Sequence, residues 1–398
     1  MAEFMGYRRP DGSVGIRNHL AVVAAMDNAN PVARRIAAGI VGAVPVTAAY
    51  GRGQVGQDLV QHDRTLVGYG AHPNVCATLV VSLEPVSAER VASAIAARGK
   101  LVEWIAIQQA GGTVKATETG IRLGTRLLEH AGGKPREPAG LGELTVGLEC
   151  GGSDALSGMT GNSTTGVVAD RVVAAGGTVI LSEIEEIIGA EHLLAARATD
   201  EAVARQLLEA VARCEAYADY LGLDMAPLGD DNVRGGLTTT EEKSLGAVRK
   251  AGTSPLVEVI GYGERPSRKG FVFMDAPAPG TENVTALGAS GAQLILFNTG
   301  VGNPIGNPIA PTVKITGSPN TATGFADNID VDVSGIVKGR LTLEGAGDVL
   351  MASMLAVANG RLTRSEALGD TEISISRVDI GFLNRVWRNG AASLLGAA

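Results

Sequence analysis

The sequence predicts an α/β fold made of two α/β units, the second a mostly parallel sheet with helices on both faces. Three observations lead there. Short runs rich in Val, Leu and Ile recur along the chain, each of strand length and bounded by turn residues, which is the pattern of a fully buried strand. Helical stretches separate these runs, and strands joined through helices pair in parallel with both sheet faces covered. The composition agrees: 54 glycines in 398 residues, with only 4% aromatics, supply tight strand-to-helix turns and a core of small aliphatic side chains. A chain of this length makes two or three domains of ordinary size.

Residues 7–18 are rich in turn formers. The run 19–25, HLAVVAA, is a buried strand, and Asp27 and Asn28 stand where side chains cap the next helix, 31–40. A strand at 43–49 ends in the turn 50–54, YGRGQ. A helix at 58–68, a strand at 75–83, a helix at 87–98, a strand at 101–107 and a helix at 117–131 complete a first unit over 1–135. The breaker-rich stretch 132–140, GGKPREPAG, is the linker. A second unit, 141–398, restarts with a strand at 144–148 and a glycine-rich turn at 149–154. A helix at 162–175, a strand at 178–181, a long amphipathic helix at 200–221 and strands at 270–274, 294–298 and 312–315 follow, a Rossmann-like succession. No short period marks a solenoid.

Charge and cysteine usage narrow the function. With 34 Lys and Arg against 42 Asp and Glu, the net charge is -8, which argues against a general nucleic-acid binder, whose phosphate contacts need clustered basic residues. Cys76, Cys150 and Cys214 form no CxxC pair, so neither a zinc ribbon nor a disulfide framework is expected. No stretch reaches the ~18 apolar residues of a membrane helix, and the first residues lack an apolar signal core, so the expected location is the cytoplasm.

Ligands in open α/β sheets sit beyond the carboxyl ends of the strands. Polar clusters fall at that place repeatedly: Asp27-Asn28, Tyr50–Gln54 with Arg52 and Gln54, Gly151–Asp154, Ser182-Glu183 and 298–303. Each alone is explained by turns and helix caps; their recurrence points to a site. In 149–162, ECGGSDALSGMTGN, Gly152, Ser153, Asp154 and Asn162 offer backbone and side-chain donors before a helix, without the spacing of a dinucleotide or phosphate loop. Cys150 there is a nucleophile, a metal ligand or a small buried hydrophobe. In 182–194, SEIEEIIGAEHLL, Glu183 and Glu186 share a face if the segment is helical, and His192 follows. Carboxylate and imidazole ligands suit Fe²⁺, Mn²⁺ or Mg²⁺; the other reading is an acidic surface helix with a surface histidine. Lys243 is either a surface helix residue or a cation for a carboxylate. The loop from Thr299, with Gly300, Gly302 and Asn303, is nearly free of charge and is expected to offer backbone donors to an anion.

These segments resemble the altronate/galactarate dehydratase family along almost the whole chain. The resemblance is carried by GYRRPDGSVGIRN at 6–18, GQDLVQHDRTLVGYGAHPNV at 56–75, CGGSDALSGMTGN at 150–162, LSEIEEIIGAEHLL at 181–194, GGLTTTEEKSLGAV at 235–248, FMDAPA at 273–278 and TGVGNPIGNPIAPTVKIT at 299–316. Where the sugar-acid dehydratases of the family carry cysteines, this chain has Asp27, Arg52, Glu84-Pro85 and Asn307, while Cys150 remains. Those replacements look like the large subunits of the (2R)-sulfolactate sulfo-lyase branch, as does NIDVDVSG at 328–335. The resemblance implies a lyase that eliminates a β-leaving group from a short 2-hydroxy acid, sulfite from (2R)-3-sulfolactate, with a sugar-acid dehydratase or a non-catalytic paralogue as alternatives. It implies a divalent metal, Fe²⁺ or Mg²⁺/Mn²⁺, at Glu183, Glu186 and His192, with Glu183, His192 and Lys243 catalytic. Asp27, Arg52, Gln54, Gly152, Ser153, Asp154, Asn162, Thr299, Gly300, Gly302 and Asn303 would bind the substrate, Arg52 choosing a doubly anionic one. The family's leading β-clip domain has no counterpart before residue 6, so a small β-clip subunit is the expected partner, with a homodimer formed through the first unit.

Overall fold

The structure, a computed structural model, describes residues 3–222 and 228–377, so the end of the expected second unit lies outside it. Among these residues the chain forms two compact units, each built from separated segments: 3–19, 72–75 and 134–372 in the larger, 20–71, 76–133 and 373–377 in the smaller.

The larger unit is built on a seven-stranded sheet. Its order runs from Leu256–Gly261 at one edge through Gly270–Asp275, Thr178–Leu181, Thr145–Cys150, Leu294–Asn298 and Thr312–Thr316 to Val331–Asp332, with parallel pairing throughout. The interior strand Leu294–Asn298, LILFN, is buried on both faces, as a parallel strand between two helical layers must be. Val146, Leu148, Phe271, Phe273, Leu296 and Ile315 from the sheet meet Val168, Val172, Leu207, Val211, Leu350 and Met354 from the helices in one aliphatic core. The helix Glu201–Leu221 starts as its sequence predicts, with Asp200 accepting a hydrogen bond from Val203 N at 3.0 Å. Winding outward from Thr145–Cys150 proceeds first to one side and then, from Leu294–Asn298, to the other. The reversal leaves a crevice beyond the carboxyl ends of those two strands, where such sheets bind ligands.

Three segments differ from expectation. The turn-rich start and the linker hold strands: Phe4–Arg8 pairs antiparallel with Val14–Gly15 and with Glu137–Ala139. These are two to five residues long and each holds a Gly or a Pro, so no period betrays them; only their pairing makes them strands. Leu256–Gly261 is an edge strand whose Glu258 interrupts the apolar run, and it went unrecognised for that reason.

In the smaller unit a four-stranded sheet runs Ala43–Val46, His19–Ala24, Val75–Ser82, Leu101–Ala106, with helices Asn30–Ala38, Gly56–Gly70, Pro85–Ala96 and Thr113–Ala131 around it. Asp27 does not cap the helix: it opens a 3₁₀ turn, Asp27–Ala29, and its Oδ1 accepts from Asn28 N at 3.0 Å and Arg52 N at 3.4 Å. Among the described residues no helix is long and apolar enough to cross a membrane.

Candidate active site

The strand Thr145–Cys150 ends in Glu149 and Cys150, and its neighbour Thr178–Leu181 runs on into Ser182 and Glu183. Both carboxyl ends therefore deliver acidic or thiol side chains to one place. Glu183 is the only non-glycine residue among those described with a left-handed backbone, φ 71°. That conformation costs a β-carbon-bearing residue of order 1 kcal/mol or more. It turns the chain into the 3₁₀ turn Ile184–Ile187, which brings Glu186 beside Glu183. Cys150 Sγ and one carboxylate oxygen each of Glu183 and Glu186 lie within 4.8 Å of one another, all buried.

Two lysines close the cluster. The helix Thr240–Ala247, capped by Thr239 on Glu242 N at 3.1 Å, carries Lys243, whose Nζ pairs with Glu186 Oε1 at 2.9 Å. Two turns later Lys250, wholly buried, donates to Cys150 Sγ at 2.7 Å and to Glu183 Oε2. The Cys150 thiol donates to Glu186 Oε2 at 2.8 Å, and its backbone N–H to Glu183 Oε2 at 3.1 Å. Glu183 Oε1 and both oxygens of buried Glu149 have no hydrogen-bond partner.

Burial sets the protonation. It pushes the Glu183 carboxyl up to about 8, against the pull of Lys250 and with the neighbouring Glu186 adding to the rise. Burial, then Glu183, lift Glu149 well above the carboxylate range. The Cys150 thiol is raised by burial and by Glu183 and Glu186. At Glu186 the same burial is outweighed by Lys243 and Lys250, and the carboxyl stays below its ordinary value. Groups pushed apart in this way beside a crevice are the usual signature of acid–base chemistry.

The rest of the larger unit's predicted site divides. Ser153, Asp154, Asn162 and Lys243 line a cavity of about 240 Å³ together with Ser157, Met159, Leu237, Leu245 and Arg249. Asp154 is spent on its own turn, accepting from Ser157 Oγ at 2.7 Å and Leu156 N at 3.2 Å. The late glycine loop is not a set of free donors: Gly300 N and Val301 N both bond to Gly152 O at 2.9 Å, and Gly302 N bonds to Thr299 Oγ1 at 2.9 Å. It braces the Gly151-Gly152 turn instead, where Gly152 takes φ 68° and a β-carbon would meet Val301 at 2.8 Å. Asn303 Oδ1 accepts from Ile305 N at 3.0 Å. His192 is exposed on the short helix Glu191–Ala195 and is outside the ligand group; Gly189 and the 3₁₀ turn break the continuous helix that would have aligned it, and Cys150 stands in its stead. Asp27, Arg52 and Gln54 belong to the smaller unit, where Arg52 is exposed and Gln54 Oε1 is buried without a partner.

Lys250 and Glu149 were not singled out from the sequence. Lys250 lies seven residues after Lys243, two helical turns along the same face, so periodicity held the signal. Glu149 ends an otherwise apolar strand, TVGLEC, and a charge at such a place is rare without a role.

Comparison with known proteins gives the cluster its context. Residues 141–380 match the family described as D-galactarate/altronate dehydratase, C-terminal, and residues 6–132 match D-galactarate dehydratase/altronate hydrolase, second domain. A (2R)-sulfolactate sulfo-lyase subunit beta of Chromohalobacter salexigens is 39% identical, over 94% of this chain and 97% of that protein. An altronate dehydratase of Escherichia coli is 34% identical, over 93% of this chain and 76% of its own length. A galactarate dehydratase (L-threo-forming) of Escherichia coli is 36% identical over 61% of this chain and 46% of that protein. With both halves of the chain matched in order and buried acids, a thiol and two lysines gathered at the strand ends, the chain belongs to the D-galactarate/altronate dehydratase family and is an enzyme of the lyase class.

Proposed function

We propose that the enzyme cleaves (2R)-3-sulfolactate to pyruvate and sulfite, as the large subunit of a two-subunit lyase. The observation that carries the chemistry is the buried Cys150–Glu183–Glu186 group with Lys243 and Lys250 bonded into it. The substrate and a partner subunit are supported by the 39% identity to a protein named a sulfo-lyase subunit beta, matched over 97% of its length; the small β-clip character of that partner is our expectation from the family resemblance. The reaction removes the proton on C2, forms the C2–C3 double bond with the electrons left behind, and breaks C3–S so that sulfite leaves with the bonding pair. The resulting enol becomes pyruvate by moving one proton.

The C2–H bond beside a carboxylate is weakly acidic, so charge growing on that carboxylate has to be met by fixed cations. Lys243 lines the cavity and reaches the cluster, which suits it to hold the carboxylate. Glu183, with Oε2 on Lys250 and Oε1 unpartnered, is the proton acceptor of this scheme in its ionised form, which its raised pKa of about 8 makes a stronger base than an ordinary carboxylate. The buried, partnerless oxygens of Glu183 and Glu149 and the sulfur donor fit a divalent cation, with Cys150, Glu183 and Glu186 as its holders. A thiol among carboxylates favours Fe²⁺ or Mn²⁺ over Mg²⁺. Such an ion, when bound, supplies Lewis-acid polarisation of the substrate's carboxylate.

The test is turnover of sulfolactate, altronate and galactarate by the chain with and without a co-expressed β-clip subunit, read as pyruvate and sulfite release. Sulfite release that rises when the subunit is added is expected. In Glu183→Gln, both the rate and the bound transition metal should fall at unchanged melting temperature. A wild type that dehydrates altronate and leaves sulfolactate untouched would reject the substrate. An unchanged rate in Glu183→Gln would reject the proton acceptor.

A further inference from the structure

We propose that Arg249 holds the second anionic group of the substrate, so that the cavity beside the cluster selects doubly anionic acids. This deepens the reading above and rests on it. The cavity of about 240 Å³ has room for a three- or four-carbon acid and carries Lys243 and Arg249 among its lining residues. Its acids are already committed. Asp154 is bonded to Ser157, and Glu242 Oε2 accepts from Thr238 N at 2.9 Å and Thr238 Oγ1 at 2.8 Å. Asp170 shares a neighbouring cavity with Arg249 but spends its oxygens on the backbone and hydroxyls of Thr253 and Ser254, at 2.6–2.9 Å. Arg249 is exposed, its backbone carbonyl accepts from Gly252 N at 3.1 Å, and among the described residues its side chain has no hydrogen bond, ion pair or ring contact. The cavity therefore holds one cation tied to the cluster and one with no counter-charge.

Position strengthens the assignment. Arg249 immediately precedes Lys250, whose side chain is wholly buried and bonded to Glu183 and Cys150. The Arg249 backbone is thus held, through its neighbour, close to the reacting groups, and the exposed side chain is free to meet a ligand in the cavity. A planar guanidinium matches a sulfonate or a carboxylate in a two-point bond, and a neutral hydroxyl gains little from it. Asn162, also on the cavity wall, has a buried Oδ1 without a partner, an acceptor for the substrate's hydroxyl.

Titration of the full chain with sulfolactate and with glycerate, which has the same skeleton and a neutral hydroxyl tail, reads the proposal directly. Arg249→Gln should weaken sulfolactate binding roughly tenfold or more and leave glycerate unchanged, with part of the loss recovered in Arg249→Lys. Arg52→Gln is the control. Equal losses for both acids, no loss, no wild-type preference for sulfolactate over glycerate, or the selective loss appearing in Arg52→Gln alone would each overturn it. Turnover is scored separately: absence of sulfite release from the wild type defeats the sulfo-lyase reading, whereas the binding contrast decides Arg249.

Discussion

Lys250 is where one side chain does most for the site. It is fully buried, and it neutralises Glu183 while bonding to the Cys150 sulfur. Removing one member of a buried ion pair leaves the other charge without a partner, at a cost of about 3–5 kcal/mol. Lys250→Met should therefore lower the free energy of unfolding by about that amount and abolish turnover. A denaturant titration in which Lys250→Met matches the wild type would show that Glu183 carries a proton in place of a bond to Lys250. Much of this residue-scale picture is legible in sequence: Cys150, Glu183, Glu186 and Lys243 all stand in motifs that look chemical. His192 misleads because a histidine near carboxylates is a strong prior for a ligand, while the left-handed turn at Glu183 that sends the chain elsewhere has no residue signature.

At the scale of elements, the approach of a turn to a helix keeps the cluster together. Gly158, in the turn before the helix Gly161–Ala174, lies against Gly246 in the helix that carries Lys243; a β-carbon on Gly158 would sit 2.8 Å from Gly246 Cα. Backbone cannot give way as a flexible side chain does. Gly158→Ala should cost about 1–3 kcal/mol and displace Lys243 from Glu186, raising KM more than a surface alanine does. A variant with wild-type stability and kinetics would mean that the turn and the helix move independently. The buried parallel strands were read within a residue or two because apolar runs this long have few other uses. The short antiparallel strands and the edge strand Leu256–Gly261 were not, since short or half-exposed pairing leaves no periodic trace.

For the molecule as a whole, acid sensitivity follows from His19. Burial pushes its ring down to about 4, with Arg17 and Arg9 adding to the fall and Glu366 opposing it. The unfolded ring titrates near 6.5, so between the two values the unfolded chain binds more protons. Stability should fall as pH drops from about 6.5 towards 4, by up to about 3 kcal/mol from this ring, and level off below. Denaturation of His19→Gln over that range should show a correspondingly flatter pH dependence; an identical slope would assign the acid loss to other groups. The pairing of Phe4–Arg8 with Glu137–Ala139 has a consequence for biosynthesis. In the chain Phe4–Arg8 precedes the segments 20–71 and 76–133 of the smaller unit and its partner follows them, so those segments are synthesised before the pairing can close. Deleting residues 4–8 would then spare most of the smaller unit and strike the larger one, although the buried Cys150–Glu183–Glu186 cluster lies far downstream in the chain.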